Sequence, residues 1–170
     1  TATNSTWGEY NDVFSFYSKY AIDYKGIGIE LVYGQQIGNA GIIGTYQYND
    51  LKENSYSIKI NYANLAIDYR KNESDNSGQI KNSSAGNDEG ISICGIYTLT
   101  IARIGFCNIN TSFNDINNLT NSSKLISNSI DYVLSDYLKI GLLYFKNEQT
   151  ANGVNITEAK GVMSSVTIEF

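Results

Sequence analysis

Apolar and polar side chains alternate along most of this chain with a period of two. In the last segment Val162, Ser164, Val166, Ile168 and Phe170 fall on one face, and Met163, Ser165, Thr167 and Glu169 on the other. The stretch LKIGLLYF places Leu138, Ile140, Leu142 and Tyr144 opposite Lys139 and Gly141, and SIDYVLS places Ile130, Tyr132 and Leu134 opposite Asp131 and Val133. Further upstream, SYSIKINY, LAIDYR and IGIELVY repeat the pattern, while ISICGIYTL and ARIGFCN follow it less strictly. Successive side chains of a strand point to opposite faces, so the pattern predicts strands with one apolar face each. No segment carries the 3.6-residue period of an amphipathic helix. Seven strands are expected from residue 55 onward, with further candidates at about 12–23, 27–35 and 41–48.

The connections add a second regularity. Ala63-Asn64, Thr100-Ile101 and Ser135-Asp136-Tyr137 read as tight turns, while roughly 70–89, 109–127 and 147–160 read as polar loops. A soluble sandwich gives no reason to collect its short turns at one end, whereas an outer-membrane barrel has short periplasmic turns and longer outer loops. Tyr62, Tyr69, Tyr97 and Tyr144 sit at strand ends, where aromatic girdles meet lipid headgroups. The expected fold is all-β, an antiparallel transmembrane β-barrel forming one domain over residues 1–170 and located in the bacterial outer membrane.

Strand number depends on the YKG turn at 24–26. If it is extracellular, ten strands form an even and complete barrel. If it is periplasmic, as its likeness to the KINYANLAIDY turn suggests, 36–54 is one elaborated outer loop, nine strands remain, and the chain is the C-terminal piece of a larger barrel.

Composition narrows the chemistry. The chain has 170 residues, no proline, no histidine, two cysteines and a net charge of −5. Missing proline suits uninterrupted ladders. Missing histidine excludes Ser-His-Asp and Cys-His catalysis and histidine-ligated zinc, so an enzyme is not expected, nor a metal or other cofactor. The acidic balance argues against a nucleic-acid partner. No run of about 18 apolar residues exists to form a transmembrane helix, but a barrel would not need one.

The closing stretch GVMSSVTIEF resembles the last strand of bacterial outer-membrane proteins, whose terminal aromatic belongs to the signal read by the barrel assembly machinery. Val166, Ile168 and Phe170 match that pattern. With YVLS and YLKIGLLYFKNE before it, the segment from about 125 is similar to the C-terminal end of the Gram-negative porin family. That resemblance implies a water-filled channel, often trimeric, for passive diffusion of small hydrophilic solutes and ions, embedded in outer-membrane lipid. The alternative is a complete small barrel acting as a surface antigen, adhesin or structural anchor. Replacing Phe170 with aspartate is expected to impair outer-membrane assembly far more than the same change in a loop. Normal yield of heat-modifiable barrel in the variant would refute this.

With the apolar rows facing lipid, the inward, pore-lining charges are Lys19, Asp23, Glu30, Lys59, Asp68, Arg70, Arg103, Asp131, Lys139 and Glu169, five of each sign. They fit either an ion-paired interior of a narrow barrel or the polar wall of a channel; about eight strands are filled by side chains, while 16–18 leave an aqueous lumen. A turn at Ala63-Asn64 sets Lys59 opposite Asp68, where a cross-strand ion pair is possible. A turn at Thr100-Ile101 sets Phe106 across Gly95 and Cys94 across Cys107, on a non-hydrogen-bonded rung where Cα atoms stand about 4.5 Å apart. That spacing is near the lower limit for a disulfide, and the pair is equally readable as two small thiols sharing a strand pair.

Overall fold

The computed structural model describes residues 10–40, 42–43, 46–47, 49–74, 88–114, 120–135 and 137–168. Glu169 and Phe170 lie outside them. In chain order the strands are β1 (Tyr10–Tyr24), β2 (Ile27–Ala40), β3 (Ile42–Ile43), β4 (Tyr46–Gln47), β5 (Leu51–Tyr62), β6 (Leu65–Ser74), β7 (Asp88–Thr98), β8 (Ala102–Asn114), β9 (Thr120–Ser135), β10 (Leu138–Ala151) and β11 (Val154–Ile168). Nine of them form a single antiparallel sheet in the order β1-β2-β5-β6-β7-β8-β9-β10-β11, and β3 and β4 make a separate small hairpin. There is no helix among the described residues.

Three expectations are corrected. The strand expected at about 41–48 does not join the nine-stranded sheet: among the described residues β2 pairs directly with β5, from Ile27 opposite Tyr62 to Gly38 opposite Leu51, and β3 and β4 pair only with one another. The nine-strand alternative therefore describes the sheet, and the ten-strand one does not. Nor is 147–160 a loop. The β10–β11 ladder continues to Ala151 opposite Val154 and closes on Asn152-Gly153, with φ of 51° and 78°. Positive φ at both positions is the type I′ hairpin geometry that Asn-Gly favours. Residues 147–151 are polar or small on both faces and Val154 and Ile156 are the only large apolar side chains of 154–160, which hides the strands from a search for alternation, but the backbone ladder needs no apolar face. Similarly, β8 runs to Asn114 and β9 starts at Thr120, inside the stretch expected as a loop.

At the opposite end the connections are short: Lys25-Gly26, Ala63-Asn64, Leu99 to Ile101, and the step from Ser135 to Leu138. Lys25-Gly26 repeats the I′ geometry with φ of 52° and 79°. The Leu99 amide donates to the Ala102 carbonyl at 2.7 Å, closing the β7–β8 turn.

The sheet has no conventional core. The buried hydrophobic residues among those described are Leu51 and Ala102, while large apolar side chains such as Ile104 (44% exposed) and Leu142 (49%) stand open on one face. The register joins them into rows. Tyr24, Ile27, Tyr62, Leu65, Tyr97, Ile104, Ile130 and Leu142 are successive cross-strand neighbours. An apolar surface of this extent demands a covering, and a barrel in lipid obtains it from acyl chains.

This belt also drifts across the sheet. The row containing Tyr33 and Tyr56 at its upper edge on β2 and β5 reaches Glu148 and Glu158 on β10 and β11, where the belt's upper edge is instead Tyr144 and Val162. A horizontal belt crosses hydrogen-bonded rows obliquely only if the strands tilt, and tilt with stagger is how a sheet closes into a barrel.

On the same face Phe106 pairs with Gly95, and its ring occupies the space where a Cβ on residue 95 would stand. Gly95→Val is therefore expected to push the ring off the sheet and lower stability by about 1 kcal/mol, the scale of an aromatic cross-strand contact. Urea titration in detergent micelles measures it; an unchanged midpoint would show that the ring contributes nothing there.

Candidate functional site: the polar face of the sheet

Opposite the apolar belt lies a face whose middle is crossed by one continuous row: Ala21, Glu30, Lys59, Asp68, Cys94, Cys107, Ser127, Phe145 and Gly161. Strand parity places Lys19, Asp23, Arg70, Arg103, Asp131 and Lys139 on this same face. Arg103 lies directly opposite Asp131 near the short-turn end. Glu169, the tenth residue expected there, is outside the described residues.

The ion pairs differ from the simplest expectation. Lys59 does stand opposite Asp68, and also opposite Glu30. Each of those carboxylates is nevertheless held by another cation. Asp68 accepts from Arg70 on its own strand, Nη2 to Oδ2 at 2.7 Å and Nε to Oδ1 at 3.1 Å. Glu30 meets the Lys19 ammonium at 2.7 Å across the β1–β2 pair. A guanidinium two residues along the same face reaches the carboxylate with two nitrogens at once, a geometry that a lysine ammonium cannot copy.

Cys94 and Cys107 are opposite one another, Cα atoms 4.0 Å apart, and are joined by a disulfide. The bond ties β7 to β8 in the middle of the polar face, beside Asp68.

Two charges on this face escaped the sequence reading. Glu53 and Asp88 flank Ser74 in one row toward the long-connection end, in a cleft also lined by Ser55, Asn72 and Thr111. Glu53 shares the parity of Ser57 and Lys59, so carrying the alternation two residues past Ser55 would have found it.

On the apolar face the belt ends in ion pairs. Lys71 bridges Glu73 and Glu89, with 3.1 Å to the latter, and Lys146 contacts Glu148 at 2.6 Å and Glu158 at 3.8 Å. The hydrogen bonds to Glu73 and then to Glu89 hold the Lys71 ammonium above the usual lysine range. Glu148 raises Lys146, and Lys146 in turn lowers Glu148. These charges lie just beyond Tyr69 and Tyr144 along their strands, marking where the apolar surface stops.

No metal-ligating cluster occurs among the described residues. With an apolar belt, a polar opposite face and staggered antiparallel strands, the chain has the fold of a bacterial outer-membrane β-barrel. Among solved structures it is similar to OmpT (in-vitro folded), an outer membrane protein of Vibrio cholerae, with a TM-score of 0.52 and 11% identity over 89% of this chain and 53% of that one. The chain thus spans about half the length of the structure it matches. That likeness agrees with the outer-membrane location expected from the sequence. No family model matches the chain, and no curated protein matches it.

Proposed function

We propose that this chain forms part of an outer-membrane porin, a water-filled channel for passive diffusion of small hydrophilic solutes and ions. The observation that carries the reading is the sheet's parity. Among the described residues β1 and β11 are the edge strands, and both run toward the short-turn end. Joining them directly would make a parallel pair in a sheet whose eight pairings are all antiparallel. An odd number of further strands restores antiparallel closure and widens the barrel. The matched structure, of which this sheet covers 53%, supports closure by about as much barrel again, and a barrel of that size leaves an aqueous lumen. Lys19, Asp23, Glu30, Lys59, Asp68, Arg70, Arg103, Asp131 and Lys139 then line the channel, and the apolar belt meets outer-membrane lipid. Lacking histidine, the chain is read as a channel and not as an enzyme. Assembly as a homotrimer through the barrel assembly machinery belongs to the same proposal.

The test is single-channel conductance of the full-length protein in planar bilayers. Stepwise, weakly ion-selective conductance is expected. A heat-modifiable, correctly folded barrel that conducts nothing would overturn the reading in favour of a closed anchor or surface antigen.

A further inference from the structure

The polar face is not uniform. On β1 to β6 its middle carries the Lys19–Glu30 and Asp68–Arg70 ion pairs. On β8 to β11 the same hydrogen-bonded rows carry apolar side chains instead. Ile109 stands opposite Leu125, and Leu143 opposite Met163. Phe145 bridges these pairs from Ser127 to Gly161, where a Cβ on Gly161 would come 3.0 Å from the ring. The apolar band begins close to the charged strip, because Arg70 is separated from Ile109 by Ser92 alone. Two interstrand spacings put them about 10 Å apart.

In a barrel filled by its own side chains such a band would be core. In a wide lumen it faces water at a steady cost, unless what passes through covers it. The neighbouring charges say what that occupant carries. Arg70 keeps 63% of its side chain exposed while bound to Asp68, and Lys19 keeps 47% while bound to Glu30. Guanidinium has five donors, so Arg70 retains free ones for a solute carboxylate, and Glu30 and Asp68 present acceptors to an ammonium. Both signs lie beside an apolar surface within the reach of one small molecule.

We propose that the channel favours small zwitterions bearing an apolar side chain, such as free aliphatic or aromatic amino acids and short peptides. This rests on the porin reading. The charged strip on β1 to β6 orients the ammonium and carboxylate, while Ile109, Leu125, Leu143, Phe145 and Met163 take the side chain.

The experiment is solute flux into proteoliposomes containing the full-length protein, comparing leucine with asparagine, two zwitterions of nearly equal size. Leucine is expected to enter faster at low concentration by about fourfold, the factor for keeping one methylene out of water. The advantage should disappear in Leu143→Ser/Phe145→Ser and in Leu125→Ser. It should also fall for 4-methylpentanoate, which lacks the ammonium. Ionic conductance and heat-modifiability confirm that each variant is folded. Equal leucine and asparagine flux in the native protein, or a preference that survives in both folded variants, overturns the proposal while leaving the channel reading intact. Absence of flux for every solute overturns both.

Discussion

Lysine at Ile60 is expected to deplete the protein from the outer-membrane fraction, while lysine at the adjacent Asn61 leaves assembly nearly unchanged. Ile60 lies in the row Ile22, Ile29, Ile60, Ile67, midway down the apolar belt. Asn61 points to the opposite face, in the row Asp23, Gly28, Asn61, Ala66. A lysine on the lipid face near the bilayer midplane costs about 2–4 kcal/mol, while a lumen position tolerates charge. These neighbours have the same backbone surroundings, so the contrast isolates the face. Quantifying heat-modifiable barrel in isolated outer membranes reads it directly. Equal losses in I60K and N61K would mean that the belt does not face lipid.

Removing the disulfide as Cys94→Ser/Cys107→Ser is expected to lower unfolding stability by about 3 kcal/mol, the chain-entropy cost of releasing a loop of this size. The two cysteines are 13 positions apart in the chain and close the β7–β8 hairpin. Reductant should act on the native protein as the double substitution does, and should leave the double variant unaffected. Urea midpoints in lipid vesicles with and without reductant provide the measurement. Coincident midpoints for all four samples would show that the hairpin is fully specified by its turn and ladder.

Much of this architecture was legible because strand periodicity is local. Whether Ile60 or Asn61 faces outward follows from their immediate neighbours, and one turn assignment then sets a whole hairpin. From Ala63-Asn64 the opposition of Lys59 and Asp68 follows by counting, and from Thr100-Ile101 so does that of Gly95 and Phe106. Strand ends were less legible. Residues 147–160 hold only Val154 and Ile156 as large apolar side chains, so alternation weakened while the ladder continued, and Asn152-Gly153 is the pair that marks the turn. The small hairpin at 42–47 resembled a sheet strand for the converse reason: it has strand-like residues but too few rungs to join the sheet.

The sequence by itself determined the all-β class, the apolar and polar faces and the pairing inside hairpins closed by short turns, because each depends on residues a few positions apart. Only the tertiary structure decided what depends on several strands at once. The count of nine required knowing that β2 bypasses 41–48 to reach β5. The partner of Asp68 depended on whether an arginine two residues along outreaches the lysine across the ladder. The slanted belt and the apolar band of Ile109, Leu125, Leu143, Phe145 and Met163 exist only in the summed register of distant strands. Within any one strand these five are merely an apolar residue or two on a polar face; backbone hydrogen bonding across four strands makes them one surface.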